Sequence, residues 1–226
     1  MSLKQRAKSL EHGAQRAVLR ALCLVALFAS VGRAWAASEL VDKIQQHYNG
    51  IHSLRADFVQ ETRSRAANLG TSAQGTLSVL KPQSMRWDYK KPSQWFLVNG
   101  NKTWLYVPED KTIYEQTLRS PDLLRFFSGL DRVSETFTIT QPPPDPGPPE
   151  LYRLVLTPHE PEFPMSKVTI WVARESYMIV RVQTEDPLGN INDITLSNIR
   201  VNVPLAPSLF KLEIPEGVRL EQQPVQ

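Results

Sequence analysis

The chain has 226 residues, a formal charge of +3 and a single cysteine, Cys23. Six of its 26 basic residues and one of its 23 acidic residues fall within residues 1–36, so the other 190 residues carry 20 basic against 22 acidic side chains, a charge of −2. That balance excludes a protein that grips nucleic acid or an anionic bilayer through a bulk positive field.

Residues 1–36 read as an export leader. A basic stretch precedes the apolar run 21–31, and Ala34-Trp35-Ala36 supplies a small-x-small cleavage site before Ala37. The run is about half the roughly 20 apolar residues that a membrane-spanning helix requires. Cys23 follows Leu22 inside the run, whereas a lipid-attachment signal places a small residue before a cysteine at its end. The expectation is an exported chain without a lipid anchor, with residues 37–226 as a single domain. That domain has no cysteine, which removes disulfides, thiol catalysis and cysteine-ligated metals, and leaves stability to an apolar core.

The domain opens with a helical pattern. Leu40, Val41, Ile44, Tyr48 and Ile51 recur at three- and four-residue spacing, with Ser38 placed to cap the start and Gly50 to end the helix. From Leu54 the period changes to two. Runs at 56–64 and 74–81 are followed by Met85-Arg86-Trp87-Asp88-Tyr89-Lys90, in which Met, Trp and Tyr share one face and Arg, Asp and Lys the other. Runs at 94–98 and 103–107 are joined through Asn99-Gly100, a hairpin signal because both residues tolerate positive φ. Another run lies at 111–117. Ser120-Pro121 then caps a short helix carrying Leu123, Leu124, Phe126 and Phe127 before Gly129. Its apolar residues occupy more than one narrow stripe, which suits either a plug at one end of a sheet or a lid over an apolar cavity.

Further strands are expected at 135–140, 151–157, 166–173, 177–185, 191–201 and 210–214, separated after the first by the proline-rich connection 142–149. Many short, closely spaced strands predict a mainly β fold with short helices. Its core is one curved antiparallel sheet, nearly closed into a barrel.

Catalytic chemistry is poorly represented. His47 and His52 fall in and just after the first helix, and the proline in His159-Glu160-Pro161-Glu162 breaks the helix that an H-E-x-x-H zinc site requires. There is no G-x-S-x-G elbow, phosphate-binding glycine loop or dinucleotide fingerprint. Asp186 and Asp193 read as turn acids as readily as a carboxylate pair. No metal, no cofactor and no enzymatic activity are expected.

The stretch from Gly75 to Tyr106 resembles a known family. Gly75-Thr76-Leu77, Lys81-Pro82, Met85-Arg86-Trp87-Asp88-Tyr89, Pro92 and Asn99-Gly100-Asn101-Lys102-Thr103-Trp104-Leu105-Tyr106 follow, in order and spacing, the pattern of the periplasmic outer-membrane lipoprotein carriers, the LolA family. Ala56-Asp57-Phe58-Val59-Gln60 is similar to that family's first strand. The resemblance implies an incomplete β-barrel under a helical lid, with an apolar cavity for the acyl chains of lipoproteins. It implies a monomer that works with an inner-membrane ABC-type release complex and an outer-membrane acceptor lipoprotein. The missing lipid-attachment signal favours carrier over acceptor. On this basis Met85, Trp87, Trp104, Tyr106, Leu123, Leu124, Phe126 and Phe127 are candidates for the cavity and lid. Each of the three aromatics Trp87, Trp104 and Tyr106 also fits an ordinary core position, and alternation leaves open which sheet face lines the cavity. Lys81 stands where the family usually has an arginine that holds the lid closed. Lysine keeps the charge and a donor but loses the planar fork. A lipid or glycolipid transfer protein, a lipoprotein-sensing regulator and a hydrolase are the competing classes.

Overall fold

A computed structural model describes residues 37–91, 93–117, 126, 129–130, 132–142 and 150–223. Helix α1 spans 37–49, and Ser38 lies within it. Twelve strands follow among the described residues: β1 Ser53–Ser64, β2 Leu69–Leu80, β3 Ser84–Tyr89, β4 Trp95–Asn99, β5 Lys102–Val107, β6 Thr112–Thr117, β7 Phe137–Thr140, β8 Leu151–Pro158, β9 Lys167–Ala173, β10 Ile179–Glu185, β11 Ile191–Val201 and β12 Arg219–Gln222. They form one sheet in the order β12-β6-β5-β4-β3-β2-β1-β11-β10-β9-β8-β7. Every neighbouring pair is antiparallel except β12 beside β6, which is parallel. β12 and β7 are the two edges, so the curved sheet stays open. The expected fold class is the observed one.

The middle of the sheet is its longest part. β1 and β2 pair without a break from Ser53↔Leu80 to Ser64↔Leu69, which leaves alternate residues on opposite faces. On the face that α1 covers, Phe58 lies opposite Gly75 and its ring meets Trp87 and Tyr89 edge-on, with centroids 4.7 and 5.0 Å away. Glycine is required there, because a Cβ at position 75 would sit 2.0 Å from the Asp88 carbonyl oxygen and 2.7 Å from the Phe58 ring. Leu40, Ile44 and Tyr48 of α1 pack into the same cluster, as do Leu154, Leu156, Ile170 and Val182 from the β8–β10 side.

The other face has its own, smaller core. Arg86, Leu97, Trp104 and Glu115 form one cross-strand row, offset by one residue from the row Trp87, Phe96, Leu105 and Tyr114 on the α1 side. Leu97, Trp104 and Ile113 are buried under Phe210, which a 3-10 turn at Pro207–Phe210 presses onto the sheet. This turn belongs to a C-terminal arm that leaves β11 at Asn202 and returns as β12. The run expected as a strand at 210–214 is therefore a turn followed by extended chain, and the twelfth strand lies at 219–222. Pro207 opens the 3-10 turn, and Pro215 closes the run with a residue that has no ladder donor. The 99–100 turn also shifts by one residue. Asn99 pairs with Lys102 as the last rung, and Gly100, with φ of 65°, takes the first loop position.

Candidate functional site

The α1-covered face is a concave apolar surface filled by the protein's own cover. Phe126, 1% exposed, enters the main cluster beside Phe137 at 5.9 Å, and Leu130 and Val133 follow it into the same core. Met85 and Trp87 lie on the floor of this face, both buried, with the Trp87 indole N–H directed at the Met85 sulfur 3.0 Å away. On the same sheet face a hollow of about 320 Å³ lies over β4–β6, lined by Phe96, Thr103, Leu105, Tyr114, Gln116 and Gln223. Phe96 borders both the hollow and the main core, so the two are adjacent.

A small number of polar contacts hold the cover down. Lys81, at the end of β2, donates from Nζ to the Tyr48 carbonyl oxygen at 2.5 Å, in the last turn of α1. A cation suits that place, because the unpaired carbonyls of a helix C-terminus carry partial negative charge. The Tyr48 side chain is tied from the opposite side, its hydroxyl accepting from the Ile179 N–H of β10 at 3.1 Å. Burial pushes the Tyr48 phenol up to about 12, with the Ile179 bond opposing part of that rise. His47 rests its Nε2 3.1 Å from the Met178 sulfur. Gln45 links helix to lid segment, since its Oε1 accepts from the Leu130 N–H at 2.8 Å. Gly129 fits beneath with φ of 116°, and a Cβ there would lie 2.8 Å from Gln45 Oε1 and 3.0 Å from Tyr48 Cβ.

The sequence-derived candidates divide. Met85, Trp87 and Phe126 lie together in the concave core, and Lys81 touches the cover. Trp104 and Tyr106 lie on the opposite sheet face from Met85 and Trp87. Alternation along β5 puts them on the convex side, where Trp104 Nε1 donates to Glu115 Oε2 at 2.7 Å and Tyr106 packs against Trp95 at 5.5 Å. Leu123, Leu124 and Phe127 lie outside the described residues. Gln45 and Tyr48 were missed as cover-fixing residues. Tyr48 was visible only as one of the helix's apolar positions, and nothing in the sequence signalled the Gln45 contact 85 residues away.

The chain's relatives agree with this architecture. The profile of the family described as outer membrane lipoprotein carrier protein LolA matches residues 49–213. The chain belongs to the LolA family. An outer-membrane lipoprotein carrier protein of Alkalilimnicola ehrlichii is 28% identical over 209 residues, 89% of this chain and 91% of that one. One from Cupriavidus taiwanensis is 26% identical, covering 92% of this chain and 99% of its own. Among solved structures, an uncharacterized conserved protein from Thermus thermophilus superimposes with a TM-score of 0.56 at 12% identity, covering 83% of this chain and 99% of its own. A DUF1329 family protein from Desulfovibrio piger gives 0.53 at 12% identity, covering 79% and 97%. These two share the fold.

Among the described residues, no three His, Cys, Asp or Glu side chains converge as a metal site would need, and no helix is long and apolar enough to cross a membrane.

Proposed function

We propose that this LolA-family chain is a periplasmic, non-catalytic carrier that shields the acyl chains of lipoproteins on its concave face and moves them from the inner to the outer membrane. The observation that supports the reading is the cover itself: an apolar sheet face filled by α1, Phe126, Leu130 and Val133, and tied among the described residues by side-chain bonds at Lys81, Gln45 and Tyr48. Each methylene withdrawn from water contributes about 0.8 kcal/mol, so shielding one long acyl chain is worth on the order of 10 kcal/mol. A charge-assisted hydrogen bond such as Lys81 to Tyr48 contributes roughly 1.5–3 kcal/mol. Cargo that displaces the cover therefore has enough free energy to break its fastenings, and the cover's return favours release.

Met85, Trp87 and Phe126 are the proposed acyl-contacting residues, with Leu123, Leu124 and Phe127 in the same lid and Lys81 as its latch. The hollow over β4–β6 is the proposed point of first entry, because it is the open margin of the same apolar face. Residues 1–36 act as the export leader and are removed. An inner-membrane ABC-type release complex loads the carrier, and an outer-membrane acceptor lipoprotein unloads it.

Native mass spectrometry on protein purified gently from the periplasm tests this reading. A one-to-one complex with an acylated lipoprotein is the expected result. Phospholipid or glycolipid alone, with lipoprotein export intact, would move the function to lipid transfer.

A further inference from the structure

The convex face carries a second cavity that the carrier reading does not use. A cleft of about 420 Å³ opens between the C-terminal arm and the outer side of β1 and β3, with Arg55, Arg86, Lys211 and Glu213 on its walls beside Leu205 and Leu209. Arg86 is fixed in place. Its Nε pairs with Asp88 at 2.8 Å, its Nη1 reaches the Leu209 carbonyl oxygen at 3.4 Å, and its guanidinium lies 5.1 Å from the centre of the Trp95 ring.

Arg55 faces Arg200 directly across the β1–β11 ladder. Like charges at opposed positions destabilise a sheet, and an acid on one strand would remove that cost. Among the described residues neither arginine forms an ion pair, and neither does Lys211, although all three are exposed. Three cations thus line one cleft, with Arg200 opposite Arg55 in the ladder, against Glu213 on its wall and Asp88 paired with Arg86. Without its leader the chain carries a charge of −2, so this concentration is local rather than a property of the whole surface.

We propose that the cleft binds a phosphate group, whether free or carried by a lipid headgroup. A phosphate offers several acceptor oxygens and at least one negative charge, which matches planar guanidinium donors and a lysine approaching from different walls. It would also relieve the Arg55–Arg200 repulsion. Leu205 and Leu209 give the apolar part of an attached group a wall to lie on.

The test uses the purified protein at low salt, the double variant Arg55→Ala/Lys211→Ala, and the single variant Lys211→Glu. Two probes separate the sources: inorganic phosphate by titration calorimetry, and co-sedimentation with phosphatidylglycerol or phosphatidylcholine vesicles. Native protein should bind inorganic phosphate or bind phosphatidylglycerol vesicles in preference to phosphatidylcholine ones, and the double variant should bind that probe at least about tenfold more weakly. Its circular dichroism and melting curve should match those of the native protein. Calorimetric binding without vesicle binding assigns free phosphate. Selective binding to phosphatidylglycerol vesicles alone assigns the headgroup. The proposal fails if neither probe binds the native protein, if both vesicle types bind equally with no calorimetric signal, or if both variants bind as tightly as the native protein.

Discussion

The sheet is covered on both faces by its own chain, and the two covers are attached in different ways. On the concave side α1 and Phe126 bury large apolar side chains, and among the described residues the polar links are side-chain contacts: Lys81 to the Tyr48 carbonyl, the Ile179 N–H to the Tyr48 hydroxyl, His47 to the Met178 sulfur, and the Leu130 N–H to Gln45 within the cover. On the convex side Phe210 is wedged over Leu97, Trp104 and Ile113, and the arm then joins the sheet as β12 through a backbone ladder along β6. One cover is held among the described residues by side-chain contacts; the other is part of the sheet. A carrier needs an apolar surface that can be uncovered without unfolding, and the difference between the two attachments supplies it.

The largest effect is expected at the convex wedge. Phe210→Ala empties a fully buried aromatic position and should lower stability by about 3–5 kcal/mol, measured as a shift of the urea midpoint. Its consequence for cargo should be no more than the loss of folded protein. Comparable sensitivity between α1 and β12 in this variant would erase the distinction between the covers. Gly75→Ala comes next. The added methyl collides with the Asp88 carbonyl and the Phe58 ring, so the strands must separate or the ring must move, at about 1–3 kcal/mol or more by thermal melting.

Lys81→Met should cost roughly 1.5–3 kcal/mol in the closed state. It should speed amide exchange within 40–49 while leaving β12 unchanged, and Lys81→Arg should restore protection. The smallest effect is a pH dependence on the convex side. Hydrogen bonds from Lys102 and then Trp104 hold the Glu115 carboxyl below its usual value of 4.5. Its bonds therefore contribute stability above pH 4.5, and that contribution fades as pH falls from there through the lower folded value. Glu115→Gln should flatten that part of the acid unfolding curve. Tyr48, raised to about 12, keeps its proton across the same range, so its hydroxyl contact with the Ile179 N–H is not changed by acid.

Much of the sheet was legible in the residues. The alternation in 85–89 marks β3 and puts Met85 and Trp87 on one side, and the three-four spacing of Leu40, Ile44 and Tyr48 marks α1. What alternation cannot provide is the identity of the concave face when both faces carry large apolar side chains, and Trp104 and Tyr106 lie on the face opposite Met85 and Trp87. Their face is settled by Phe210, more than a hundred residues away, whose run resembled a strand between prolines. β12 carries no strand signature, because Arg219-Leu220-Glu221-Gln222 is polar and mostly exposed and owes its conformation to the β6 edge beside it. Contacts between α1 and residues 129–130 depend on Gln45 and on a glycine at positive φ, neither of which leaves a periodic trace.

Hydrogen–deuterium exchange on the purified protein, empty and loaded with an acylated lipoprotein, tests the central claim most directly. Loading should deprotect α1 over 40–49 together with residues 129–133, while 206–222 on the convex side exchanges at its unloaded rate. Unchanged protection of α1 with cargo bound, or opening of the C-terminal arm in its place, would contradict a carrier whose concave cover gives way to its cargo.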